Sequence, residues 1–172
     1  VAIVLAVSVE FCMISWSADY LETRLNLPRA DAAQSVSLFL AAMIVGRMAV
    51  SRLVLRFTAQ RVVIASILMA GIGFAVFWTV DKVALNLAGL FVMGLGVAGL
   101  YPLLLSMAIG VARDNATQAS ARATLASGTA ILALPLALGR LADFIGIQQA
   151  YGIVTVLLAG VFIITLATAR RT

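Results

Sequence analysis

The sequence contains no histidine, one cysteine and three prolines, and only 11% of its residues are charged. Each shortage removes a class of protein. Without histidine there is no Ser–His pair and no H-E-x-x-H zinc site. Cys12 has no second thiol for an intrachain disulfide, and it lacks the imidazole base that usually activates a thiol. Neither a metal nor a cofactor is expected, and the chain does not read as an enzyme. Soluble domains carry about 25% charged residues, so a chain that is 11% charged and 63% hydrophobic is not one of them. The net charge of +5 then belongs to the loops of a membrane protein and does not indicate a nucleic-acid partner. A signal peptide is not expected either. The chain opens at Val1 inside an apolar run, no basic segment precedes it, and Glu10 interrupts it. The chain is expected to be a fragment of a longer protein.

What the sequence has is apolar length. The run 83–112 contains no charge over 30 residues, whereas a bilayer core about 30 Å thick needs roughly 20 helical residues. Within it stand Gly89, Gly94, Gly96 and Gly99 and a Tyr101-Pro102 step. Glycine and proline are tolerated in such a run when neighbouring helices pack closely on it, so an interior helix of a bundle is expected. Further apolar spans are read at 1–21, 32–50, 62–80, 123–141 and 150–168. The expected fold class is therefore all-α: a polytopic membrane protein with six transmembrane helices in one domain, residues 1–172. Connecting segments are expected at 22–31, 51–61, 81–82, 113–122 and 142–149. In the fourth of these, Asn115 with Gln118 reads as an N-cap and capping-box partner for the next helix.

Six spans put both ends on one side. That side carries eight basic residues (Arg47, Arg52, Arg56, Arg61, Arg113, Arg122, Arg170, Arg171), and the other four (Arg24, Arg29, Lys82, Arg140). The excess of Lys and Arg marks the cytoplasm, so both termini of this segment are expected there. Asn115-Ala-Thr117 matches a glycosylation sequon, but on this orientation it would be cytoplasmic. The two triplets of spans, residues 1–80 and 83–170, resemble each other weakly: the second helix of each ends in Gly-Arg, at Gly46-Arg47 and Gly139-Arg140. Two units of three spans must be inverted relative to each other, as in the 3+3 inverted repeats of some transporters.

Gly94-x-Gly96-x-x-Gly99 spells a dinucleotide fingerprint, with Asp114 where a ribose-binding acid would stand. That fingerprint needs a preceding strand and a helix opening at the glycines. Here it lies within an apolar span, and close helix packing accounts for it.

Glu10 is the strongest single signal. An acid within a span costs on the order of 3 kcal/mol on insertion scales and is usually functional. On a helical wheel Ala6, Met13 and Ser17 lie near its face and Tyr20 at the margin, while Asp19 points almost the opposite way. Glu10 reads as the only ionisable side chain near the middle of any span. Trp16 and Tyr20 read as either an interfacial aromatic belt or a cavity wall. Asp19, Glu22 and Arg24 read as solvated or locally paired, and Arg140 with Asp143 as a local pair. Ser120, Thr124, Ser127, Gly128 and Ile131 form a stripe of mostly small residues that suits interhelical packing.

Several segments resemble one family. VEFCMISWSADYL (residues 9–21) is similar to the seventh helix of the fucose-permease-like branch of the major facilitator superfamily. GLGVAGLYPLLLSMA resembles the tenth helix, and ASGTAILALPLALGRLADFIG the eleventh helix and the loop after it. GRMAVSRLVLRF sits where the family has a basic loop, although it lacks the aspartate of the Gly-x-x-x-Asp-Arg-x-Gly-Arg pattern. The chain as a whole resembles the C-terminal six-helix half of such a transporter.

The resemblance implies a proton-coupled secondary transporter of a small organic solute, such as a sugar or drug-like compound, working by symport and alternating access. Its partners would be the solute, the lipid bilayer and an N-terminal half of the same protein, in a bacterial inner membrane. Glu10, Trp16, Ser17, Tyr20 and Tyr101 are the candidate substrate-binding or coupling residues. Arg47, Arg52 and Arg56 are the candidates for the cytoplasmic basic loop. The alternative is a six-helix membrane scaffold or sensor that does not transport.

Overall fold

A computed structural model describes residues 1–112 and 115–169. Arg113, Asp114, Arg170 and Arg171, which entered the charge count and the fingerprint reading, lie outside the described residues. Among the described residues there is no strand, and the helices are α1 (Ala2–Leu25), α2 (Arg29–Leu53), α3 (Ala59–Thr79), α4 (Val83–Val97), α5 (Leu100–Ala112), α6 (Ala116–Ile145), α7 (Ile147–Ala150) and α8 (Gly152–Ala169). They make 6 spans long and apolar enough to cross a membrane, with α4 and α5 joined as the fourth and α7 and α8 as the sixth.

Most helices run past the boundaries expected from charge. α1 continues to Leu25 through Glu22 and Arg24, and α2 covers Arg29 to Leu53 and so takes in both Arg47 and Arg52. The expected loop at 51–61 shrinks accordingly, and α6 begins at Ala116 and ends at Ile145. The physical reason is that a helix need not stop where the hydrocarbon does. Charged residues remain helical in the headgroup region, where water and lipid phosphates solvate them.

Local chemistry sets the true ends. Asn26 takes the left-handed conformation (φ 50°) after α1, and Pro28 precedes α2, its carbonyl accepting from Ala32 N at 3.0 Å. Thr58 caps α3, and Gly146 at φ 83° separates α6 from α7. Asn115 does occupy the N-cap position of α6, but its side chain makes no capping bond, which corrects the capping-box expectation. The fourth span is broken at Ala98-Gly99. Pro102 has no N–H to offer the Ala98 carbonyl, so the helical ladder is interrupted there.

The glycines decide the packing. A Cβ on Gly73 would collide with the backbone N of Met93, and one on Gly96 with the backbone N of Ala70; at Gly89 it would meet Phe77 N at 2.6 Å. α3 and α4 therefore pack backbone to backbone, the closest approach small residues allow in a membrane. Gly94 and Gly99 serve a different neighbour: their missing side chains would meet Phe39 O and Val50 Cγ2 of α2, each at 2.7 Å. The fingerprint-like glycines thus lie in a helix packed on two sides, with no preceding strand, and the dinucleotide reading falls.

The helix neighbours follow one pattern. α2 packs on α4 as α6 packs on α1; α3 packs on α4 as α8 packs on α1; α1 meets α2 as α5 meets α6. Exchanging the first three spans for the last three maps these pairs onto one another; α6 also meets α7, where α2 and α3 do not pack. The Gly-Arg pairs obey it as well: Gly46 faces Leu95 and Ala98 of the fourth span, and Gly139 faces Trp16 of the first.

Candidate functional site

Glu10 stands roughly 12 Å inside the N-terminal end of α1, and Arg47 roughly 9 Å inside the C-terminal end of α2, at about 1.5 Å of rise per residue. The two helices are antiparallel neighbours, so these residues come level. Arg47 Nη2 lies 3.7 Å from Glu10 Oε1. Arg47, read near the end of the second span and grouped with the cytoplasmic basic loop, reaches back to Glu10, so Glu10 is not alone in the spans. The acid side chain is 15% exposed and the guanidinium 58%. Glu10 is set back against the bundle, and Arg47 stands in front of it on the open face. Arg52 and Arg56 remain at the end of α2 and in the turn beyond it, both exposed.

Arg47 has much of its bonding capacity unused. A charge-assisted N–H···O bond is typically about 2.7–2.9 Å long, and the pair is looser than that. Among the described residues Arg47 makes no hydrogen bond, although a guanidinium carries five N–H donors. Around it on α2, Leu40, Ile44, Val45 and Met48 are exposed. The fifth span, α6, is the least buried in the structure and α2 the next, so the two flank a face that nothing in this chain covers.

The other candidates do not join Glu10 on that face. Ala6, Met13, Ser17 and Tyr20 are all buried, so the α1 residues read near the face of Glu10 are closed off by packing. The Ser17 hydroxyl donates to the Met13 carbonyl. The Tyr20 hydroxyl donates to the Trp78 carbonyl at 2.9 Å, and its ring lies 4.8 Å from Phe77 and 4.9 Å from Tyr151, centroid to centroid. Tyr20 is thus part of an aromatic core between α1, α3 and the junction of α7 with α8. Trp16 donates its indole N–H to the Pro135 carbonyl at 2.8 Å and packs on Gly139, tying α1 to α6 at the proline inside that helix. Tyr101 is half-buried at the start of α5, beside the break in the fourth span.

Two polar clusters escaped the sequence reading. Arg24 pairs with Asp81 at 2.7 Å and donates to Gln148 at 2.5 Å, while Trp78 donates to the Gln148 carbonyl at 2.8 Å. This clasp ties together the ends of α1 and α3, the turn before α4, and α7 on the side away from the termini. Asn86, fully buried, donates to the Phe77 and Val80 carbonyls and closes the end of α3. Arg140 and Asp143, expected to pair, form no ion pair; both are exposed. A groove of about 520 Å³ between α2, α3 and α4, lined by Gly46, Val50, Phe57 and Leu95 among others, is almost wholly apolar and does not include Glu10 or Arg47. The described residues contain no cluster of His, Cys, Asp or Glu able to hold a metal.

Six spans, helix packing mediated by glycine and an ion pair set within two of the spans define a polytopic membrane protein with a charged site in its bundle. A profile of the Major Facilitator Superfamily matches residues 1–172, and the chain belongs to that family of membrane transporters, which are not enzymes. It is also similar to an uncharacterised MFS-type transporter of Yersinia pestis, 28% identical over 162 residues. That match covers 94% of this chain and 41% of the relative, so the chain spans less than half of the relative's length.

Proposed function

We propose that this chain is the C-terminal half of a secondary active transporter that moves a small organic solute by alternating access, coupled to protons. The observation that carries the reading is the Glu10–Arg47 pair, one buried acid behind one accessible cation, on the face that α2 and α6 leave open. An uncovered guanidinium within a span is very costly in lipid, and such residues face a partner or a water-filled cavity. An N-terminal half across that face supplies both, and rocking of the halves about a site between them is the transport cycle. The matching of these helix pairs on exchange of the triplets supports two inverted three-helix repeats, residues 1–80 and 83–170. Within this reading Glu10 carries the coupling proton and Arg47 holds it in register. Trp16 and Tyr101 sit beside Pro135 and Pro102, the prolines that would let α6 and the fourth span flex. The bilayer is a bacterial inner membrane, with the termini of this segment on the cytoplasmic side.

The test uses the full-length protein in proteoliposomes. Glu10→Gln removes the titratable proton and keeps the size of the side chain. Solute exchange is expected to persist and uptake driven by a pH gradient to be lost. Normal gradient-driven uptake in this variant would remove Glu10 from the mechanism. A full-length protein that folds but neither exchanges nor accumulates any solute would favour the scaffold reading.

A further inference from the structure

We propose that the solute is an anion, a carboxylate on a largely apolar body, and that it binds by taking the place of Glu10 on Arg47. This rests on the transporter reading above and adds the class of substrate. Three observations carry it. First, the accessible member of the pair is the cation: Arg47 is 58% exposed and Glu10 15%. A solute arriving on the open face meets the guanidinium first, with the acid behind it. Second, the pair is loose at 3.7 Å and Arg47 has no hydrogen-bond partner among the described residues. A second carboxylate can therefore approach through unused N–H groups before Glu10 lets go, in the forked geometry that suits arginine and carboxylate. Third, Arg47 is set among exposed Leu40, Ile44 and Met48 on the same helix. These three side chains offer no donor or acceptor for the hydroxyls of a polyol, and the nearby Ser51 hydroxyl already donates to the Met48 carbonyl at 2.8 Å, so the wall suits the hydrocarbon of an amphipathic acid. Glu10 then works as a tethered stand-in that neutralises Arg47 while the site is empty and is released when substrate arrives.

The experiment measures binding to the full-length protein in detergent, by radioligand saturation and thermal shift. The probes are benzoate and hexanoate, with benzamide and benzylamine as the neutral and cationic counterparts of benzoate. Both acids are expected to bind and to raise the unfolding temperature, and the amide and amine are not. Arg47→Gln should weaken benzoate binding about tenfold or more, the loss expected for a charge-assisted bond. Arg47→Lys should fall between Arg47→Gln and the unmodified protein, because it keeps the charge and loses the fork. Glu10→Gln should bind benzoate several-fold more tightly, because its competitor is gone; a merely structural pair would give no gain. If Arg47→Gln does not fold, the Glu10→Gln and Arg47→Lys measurements still decide. Failure of either acid to bind, equal binding of benzylamine or benzamide, or weaker benzoate binding in Glu10→Gln overturns the assignment. A protein that transports a neutral or cationic solute while ignoring both acids overturns the anion assignment alone. One that binds the acids and moves nothing across a vesicle overturns the transporter reading and leaves the site.

Discussion

The indole of Trp16 fills the space that a side chain at Gly139 would need. A Cβ on Gly139 would lie 2.5 Å from Trp16 Cζ2 and 2.9 Å from Cη2. The ring cannot swing aside without breaking its hydrogen bond to the Pro135 carbonyl. Gly139→Ala should therefore destabilise the protein by about 1–3 kcal/mol, the usual cost of overpacking a tight contact. Trp16→Leu removes the obstacle, so in that background the alanine should cost markedly less than in the unmodified protein. Thermal unfolding of the detergent-solubilised protein measures the cycle. An equal cost in both backgrounds would mean that the glycine serves something other than Trp16.

The seam between α3 and α4 permits a sharper comparison. An added Cβ on Gly73 would meet backbone, Met93 N and, at 2.8 Å, Gly89 O, whereas one on Gly71 has nothing within 4 Å. Backbone cannot rotate away as a side chain can, so Gly73→Ala must push the helices apart. Its expected cost is about 3 kcal/mol, at the upper end for overpacking. Gly71→Ala should be neutral or stabilising by up to about 1 kcal/mol, because alanine is the better helix former. The two residues lie on the same helix, so yield and unfolding temperature of the two variants compare directly. Similar losses at both would count against the backbone contact.

Gly89, Gly94, Gly96 and Gly99 of the fourth span were legible in the sequence because their cause is nearly local: small residues in an apolar run imply a close neighbour. Glu10 was legible for the same reason, as an acid where the solvent is hydrocarbon. In the sequence Arg47 stands near the end of the second span and groups with the basic loop that follows; what escapes is its partner, which lies in another helix. A clue was nonetheless present, since Glu10 and Arg47 stand at similar distances from the turn at 26–28 and so come level in a helical hairpin. Ser17 and Tyr20 show the opposite limit. The wheel set them near the side of Glu10, but what covers them comes from α3 and the α7–α8 junction, and no pattern within α1 announces Phe77 or Tyr151.

Asn86 offers a test of polar closure inside the bundle. Its Nδ2 donates to the Phe77 carbonyl at 2.5 Å and the Val80 carbonyl at 3.2 Å, and its Oδ1 is buried without a partner. Asn86→Leu leaves those carbonyls without their side-chain donor, at an expected cost of about 1–3 kcal/mol. Asn86→Asp should be worse, since a carboxylate cannot donate and sets oxygen against oxygen. Hydrogen exchange followed by mass spectrometry should show faster exchange confined to the end of α3 and the start of α4. An aspartate variant as stable as the parent would mean that these bonds contribute nothing.

The orientation prediction is the most exposed to refutation, because it rests on charge alone. With Arg47 assigned to the span, the termini side still holds Arg52, Arg56, Arg61 and Arg122 among the described residues, against Arg24, Arg29, Lys82 and Arg140 opposite. Arg113, Arg170 and Arg171 then tip the balance towards the termini. Acidic residues contribute little to this rule, so the pairing of Arg24 with Asp81 does not alter the count. Ser51, Asn115 and Asn26 are all exposed, and Cys12 is buried and replaceable by serine for a clean background. In the full-length protein in intact cells, a cysteine at Asn26 should react with a membrane-impermeant maleimide added outside. Cysteines at Ser51 and Asn115 should react only after the membrane is opened. Labelling at Ser51 from outside, with Asn26 protected, would invert the topology. It would also move the Glu10–Arg47 pair, which lies nearer the termini side of the bundle, from the cytoplasmic half of the membrane to the outer half.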